Sequence, residues 1–240
     1  MLPKIDLPTY DLTLPSTGKK IKVRPFLVKE EKLLLMALES DDDLEIVNTT
    51  KQIINNCIVS EKIDVNALPF FDVDYLFIAL RAKSIGEKVD IKYTCKNVVN
   101  GETCGASFNA EIDVSNVKVI KDESIANVID LKNNIKVKMK YPSYTTMKLI
   151  MDNENILDKK IKLIANSIEY IQNKESIITT KDVTKEELEQ FVGDLIQEQY
   201  KKLEHFIDNL PSFVVQSTAT CNKCNFVHNL EYSDFTSFFV

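Results

Sequence analysis

Four of the five cysteines in this chain of 240 residues fall into two pairs. Cys95 and Cys104 bracket a turn-rich stretch, CKNVVNGETC, and Cys221 and Cys224 make a tight CxxC, CNKC. The flanks match. Thr94 and Thr220 precede the two pairs, and seven residues past the second cysteine of each stands a glutamate, Glu111 in NAEI and Glu231 in NLEY. The pattern reads as two copies of one unit: strand, metal knuckle, strand. Two thiolates from each knuckle would make a closed tetrahedron, the usual structural zinc arrangement, with Cys95, Cys104, Cys221 and Cys224 as ligands. Four thiolates leave no open position, so the chemistry is that of a staple and not of a catalytic metal. Buried reduced thiols are the alternative. A thioredoxin-like role for CNKC would need a helix start after a strand in a βαβ setting, which the flanks do not supply.

The remaining candidates for chemistry are few. His228 lies four residues beyond Cys224, where Phe108 stands in the first unit, so packing beside the knuckle is expected of it before ligation. His205 sits in a mixed helical stretch, KKLEHF, as a surface or boundary residue. Cys57 follows Ile53 and Ile54 on the apolar face of a helix and reads as a buried structural thiol. No GxSxG, Walker-type loop, GxGxxG or HExxH is present. The chain is therefore read as a non-enzyme.

The elements that must position the cysteines follow from local pattern. Glu87–Thr94 and Ser107–Val114 alternate as strands around the first pair, and residues 213–220 and 226–232 do so around the second. Residues 1–19, with Pro3, Pro8 and Pro15, read as an extended arm. Lys20–Arg24 is a strand ended by Pro25, and Val28–Ser40 is a run of strong helix formers. A second helix starts at Asp41–Asp43. Leu68–Gly86 is the clearest helix, with Asp72 as N-cap, Gly86 at its end and a centre apolar on most sides. Ile125–Leu131 and Ile135–Met139 are strands joined at Lys132-Asn133-Asn134, and Tyr144–Met151 is a helix. Leu157, Ile161, Ile164, Ile168 and Ile171 form a seam at helical spacing. Thr184 and Glu187 make a capping box for a helix running with little break to Asn209, before Pro211.

These elements predict an α+β fold, a helical body with a discontinuous zinc-ribbon-like β unit formed by the two knuckles. Residues 20–240 would be one interlocked domain, with ribbon halves at 87–114 and 213–234 and a mostly helical insertion at 115–210. The composition, 44% hydrophobic and 28% charged, is that of an ordinary globular protein. A net charge of −6 argues against a dedicated nucleic-acid binder. No run approaches the roughly 18 apolar residues that span a bilayer. The segment MLPKIDLPTYDL lacks a signal-peptide layout, so an intracellular, reducing setting is expected, where paired cysteines hold metal more often than they form disulfides.

Three blocks carry a family resemblance: TGKKIKVRPFLVKEEKLLLMALES at 17–40, LPFFDVDYLFIALRAKSIGEKVDIKYTC at 68–95, and the terminal CNKC with its aromatic end. Together they resemble the baseplate hub assembly proteins of T4-type contractile-tailed phages. The resemblance implies a non-enzymatic chaperone for the central baseplate hub. Its partners would be hub or other tail proteins, with no membrane, nucleic acid or small molecule involved. It would work in the host cytoplasm during assembly or sit in the virion baseplate. A permanent structural subunit is the first alternative, and a zinc-ribbon nucleic-acid-binding protein and an enzyme of unrecognised type are others. The candidate contact residues are Arg24, Pro25 and Phe26, and Phe238, Phe239 and Val240 in the tail. The tail, which also contains Phe235, either folds back onto the zinc unit or plugs into another protein.

Overall fold

The computed structural model describes residues 6–40, 42–60, 63–151 and 155–233, together with Phe238. It is an α+β fold. Strand β1 (Tyr10–Thr13) pairs antiparallel with β2 (Lys20–Val23), Leu12 opposite Ile21. The first nineteen residues are therefore not all an extended arm. The turn closes where Gly18, at φ 69°, donates its N–H to Leu14 O at 2.8 Å, and Leu12 and Leu14 are core residues. Residues 1–5 lie outside the described part.

Helices α1 (Val28–Glu39), α2 (Asp43–Cys57) and α3 (Phe70–Ser84) follow, close to their expected bounds. Asp42 caps α2 by accepting from the N–H groups of Leu44 and Glu45. Helix α3 is buried over most of its surface, from Phe71 to Ala82. Its start is a correction. Pro69 precedes the first turn, and Asp72 does not cap. The Asp72 carboxylate instead accepts from the Ser16 N–H at 2.9 Å and from the Ser16 hydroxyl, tying the β1–β2 turn to α3. Burial pushes this carboxyl above its ordinary range.

Next come β3 (Lys88–Thr94), β4 (Val98–Val99), β5 (Glu102–Thr103) and β6 (Ser107–Asp113). The chain then makes β7 (Lys118–Ile120), β8 (Val128–Asp130), β9 (Lys136–Met139), α4 (Tyr144–Met151) and α5 (Ile156–Asn166). It continues with β10 (Ile168–Gln172), β11 (Ile177–Thr179), α6 (Lys185–Gly193) and α7 (Gln197–Asp208), and closes with β12 (Ser212–Thr220) and β13 (Val227–Tyr232). The insertion is less helical than expected: it contains a four-stranded sheet in the order β11-β10-β9-β8.

The isoleucine seam is the second correction. Only its first part is helical; Ile168 and Ile171 belong to β10. Ile168 stands opposite Met139 and Ile171 opposite Val137, with a register shift between Ile168 and Tyr170. The extra residue puts two isoleucines three apart on one face of the sheet, which in sequence imitates helical spacing. The third correction is the break between α6 and α7 at Asp194–Ile196, where one long helix was expected. The capping box is as predicted: Thr184 and Glu187 each accept from the other's backbone N–H, at 3.1 and 2.7 Å respectively.

Two clusters of buried side chains result. One is built by the N-terminal strands, α1–α3, β3, β6, β12 and β13 around Phe77, Ile112 and Val215. The other lies within the insertion around Val137, Ile164, Leu203 and Phe206. Tyr141 links α3 to the second cluster, edge-on to Phe71 at 5.1 Å and stacked on Phe206 at 5.7 Å. The insertion leaves and returns on paired strands, Ile120 of β7 opposite Ser212 of β12.

A charged clamp joins β2 to α1. Arg24 holds both carboxylate oxygens of Glu30 at 2.8 and 2.9 Å, and Glu30, 1% exposed, also accepts from the Leu27 N–H at 2.7 Å. The Arg24 hydrogen bond holds the Glu30 carboxyl below its ordinary range. A carboxyl depressed by folding adds stability above its unfolded pKa, and that stability is lost as pH falls through the folded value. Glu30→Gln should therefore cost about 3 kcal/mol near neutral pH, because it strands a largely buried guanidinium. In urea unfolding the gap between wild type and variant should narrow as pH drops below the ordinary glutamate range; a gap independent of pH would refute the clamp.

Candidate metal centre

The hairpins β3–β6 and β12–β13 carry the cysteines at their tips. Their registers correspond: Thr94 faces Ser107 and Tyr93 faces Phe108 in the first, and Thr220 faces Val227 and Ala219 faces His228 in the second. Each tip closes with the same two backbone hydrogen bonds. Cys95 N–H donates to Ala106 O at 2.8 Å, and Gly105 N–H donates to Cys95 O at 3.1 Å. Cys221 N–H donates to Phe226 O at 2.9 Å, and Asn225 N–H donates to Cys221 O at 3.0 Å. Gly105 and Asn225, each just past the second cysteine, share a left-handed backbone at φ 62° and 57°.

The long first spacing is now explained. Cys104 N–H donates to Asn97 O at 2.8 Å, so these two residues lie side by side across the base of a small hairpin, β4–β5. Asn100 and Gly101, at φ 53° and 87°, form its turn. The first tip is a CxxC knuckle, Cys95-Lys96-Asn97 continued by Cys104, with residues 98–103 inserted into it.

The four Sγ atoms lie within 4.8 Å of one another. Cys95 and Cys224 are 3.7 Å apart and Cys104 and Cys221 3.9 Å, far beyond a disulfide bond. Four sulfurs at about 2.3 Å from a central ion would stand about 3.8 Å apart, so the residues fit a tetrahedral thiolate-bound metal. Cys95 and Cys221 are buried and Cys104 and Cys224 half-buried. The Phe226 backbone N–H, with help from Asn97, holds the Cys224 thiol below the ordinary range, whereas burial pushes Cys95 up. Asn97 Nδ2 and Lys223 N–H reach the sulfurs of Cys224 and Cys221 at 3.7 and 3.4 Å.

His228 packs beside the knuckle, its ring 5.1 Å from Tyr93 and 4.8 Å from Phe226. It also does what packing alone did not suggest: Nε2 lies 3.2 Å from Cys95 Sγ, on a side chain that is itself buried. It stands outside the four-thiol cluster and touches one of its members. The cross-strand position, opposite a small residue instead of an aromatic one, is the signal by which this contact was readable.

The other anticipated contact residues are engaged within the chain. Phe26 is in the core, with its N–H on Ser84 Oγ at 2.9 Å. Arg24 is held by Glu30 and Pro25 O, and Pro25 is half-buried. Of the tail, Phe238 folds back: it is buried against the Tyr232 ring at 5.9 Å, and its carbonyl accepts from Arg81 Nε at 3.3 Å. Packing of the hydrophobic ring thus takes Phe26 and Phe238 out of the expected contact surface. Phe235, Phe239 and Val240 lie outside the described residues. Cys57 is fully buried as expected, and burial pushes its thiol up to about 12.

If the small hairpin is an insertion in a closed knuckle, removing it should leave the knuckle standing. A variant lacking residues 98–103, with Asn97 joined to Cys104, should fold with a melting temperature within a few degrees of the parent and keep the same metal content. Failure to fold, or loss of metal, would show that the equivalence of the two tips is false.

Among the described residues no helix is long and apolar enough to cross a membrane. No curated protein and no solved structure shows a significant match to the chain. The family model described as T4 bacteriophage base plate protein matches residues 7–240, a span that takes in both hairpins and the insertion between them, and the chain belongs to that family.

Proposed function

We propose that the chain is a non-enzymatic assembly factor for the central hub of a contractile-tail baseplate, acting by binding hub or other tail proteins. In this reading Cys95, Cys104, Cys221 and Cys224 hold one structural zinc ion, and the two hairpins are the halves of a discontinuous zinc ribbon. The metal would supply a cross-link between segments far apart in the chain. The residues around it do the rest: Asn97, Lys223 and His228, whose Nε2 lies 3.2 Å from Cys95 Sγ, orient and shield the sulfurs. Family membership supports the setting. The observation that carries binding is the apolar surface at the cysteine tip, where Val98, Val99, Phe226 and Val227 are exposed beside a rigid base. Val98 and Val99 stand on the inserted hairpin, exposed and outside both core clusters.

The zinc part predicts about one zinc per purified chain. Cys224→Ser should lose it. In a domain this size the melting temperature should fall by about 10 °C, less than the near-complete unfolding seen when metal is withdrawn from small zinc domains. Metal-free protein of undiminished stability would end that part of the proposal.

The assembly part is tested by copy number, measured by quantitative mass spectrometry in hub intermediates and in mature particles. Presence in intermediates and loss from particles is expected, with host cytoplasm as the place of work. A fixed copy number in both would make the chain a permanent baseplate subunit instead.

A further inference from the structure

Helix α1 is attached to the body along a narrow strip. Glu30, Leu34 and Ala37 are buried, with Leu38 partly so. The opposite side is apolar: Val28 is 81% exposed, Leu33 42%, Leu35 45% and Met36 54%. Residues are roughly 100° apart around a helix axis. The outward side therefore consists of two columns, Val28-Lys32-Leu35-Glu39 and Lys29-Leu33-Met36-Ser40. A helix in a monomer would ordinarily place polar residues there.

The charges on this face are arranged with one sign at each end. Lys29 and Lys32 lie in the first half of the helix and Glu39 at its end. Among the described residues Lys32 and Glu39 have no ion-pair partner. They cannot serve each other, because helix neighbours that meet are three or four residues apart and these are seven apart. The pattern is symmetric about the point between Leu35 and Met36. Lys32 is three residues before that point's first member and Glu39 three residues after its second.

We infer that the outward face of α1 is an isologous interface, and that its occupant is α1 of a second copy of this chain, packed antiparallel. A two-fold axis between Leu35 and Met36 sets Leu35 of each copy against Met36 of the other. It also sets Lys32 of each copy against Glu39 of the other, so one contact type is made twice, as two-fold symmetry requires. A cross-helix ion pair flanking an apolar centre is the arrangement by which antiparallel helices fix their register. One helix face is small for a stable interface, so the dimer forms reversibly at micromolar concentrations. This inference stands apart from the hub role, since it rests on α1 and not on the cysteine tip.

Sedimentation velocity on the full-length, metal-replete chain over a concentration series tests it. The parent should shift from monomer to dimer with concentration. Lys32→Glu alone and Glu39→Lys alone each place like charges together twice, and each should weaken the dimer by roughly tenfold or more. The double variant should dimerise as the parent does. An equimolar mixture of the two single variants should form a mixed dimer, because each then offers what the other lacks. Both positions are on the surface, so melting temperatures should stay at the parental value and report that folding is intact. A chain that is monomeric throughout the series, a dimer indifferent to both single variants, or a mixture that fails to recover would each overturn the inference. So would a different protein occupying this face to the exclusion of a second copy.

Discussion

Two hairpin tips meet at four sulfurs, and most of the architecture follows from that meeting. Cys104 and Cys221 are separated by 117 residues in sequence and 3.9 Å in space. Bringing such distant points together costs loop entropy that grows only slowly with length, so a long intervening segment adds little once the ends are fixed. The fixing is done twice. The sulfurs converge at one end, and β7 pairs with β12 where the insertion leaves and returns. Between these two ties the insertion is free to build its own core without disturbing the hairpins.

The two cores are joined by specific packing. Tyr141 meets Phe71 of the buried helix α3 on one side and Phe206 of α7 on the other. Helix α3 is in turn fastened from several directions: Ser16 holds Asp72 near its start, Ser84 near its end accepts from Phe26, and Arg81 holds the Phe238 carbonyl. Both ends of the described chain are thus drawn onto one helix. A polar group buried in this helix is matched by a partner from a distant segment, which is how buried polar groups avoid an uncompensated desolvation cost.

What the sequence made legible was local. The capping box at Thr184, the helix formers of α1 and the alternating strands around each cysteine pair are all decided by residues within a few positions of one another. The cysteine assembly was legible as well, because matched flanks betray a repeated unit even across a long insertion. What was missed depends on partners that sequence distance hides. Asp72 has the right type for an N-cap, but Ser16 claims it from 56 residues away. Ile168 and Ile171 share a face through a bulge that helical periodicity imitates. The inserted hairpin carried its own signal, Asn100-Gly101 between short extended runs, and that signal is local. It was hidden only by reading the interval between Cys95 and Cys104 as a single loop.

The same comparison of the two tips bears on where recognition can reside. Their hydrogen bonds, their left-handed closing residues and their strand registers correspond, so the parts that bear the fold are alike. Each tip differs from the other in one respect: the second has His228 where the first has Phe108, and the first has residues 98–103 where the second has none. His228 points inward to Cys95 and is accounted for by the sulfurs. The six residues are exposed, and their valines, Val98 and Val99, belong to neither core cluster. An apolar addition that contributes nothing to its own core lowers solubility without raising stability. In the proposed binding role, a partner that reads the β4–β5 hairpin would distinguish the first tip from the second. In that role the sulfur cluster would set the position and the asymmetry the orientation, because a pair of identical tips would present the same surface in two directions.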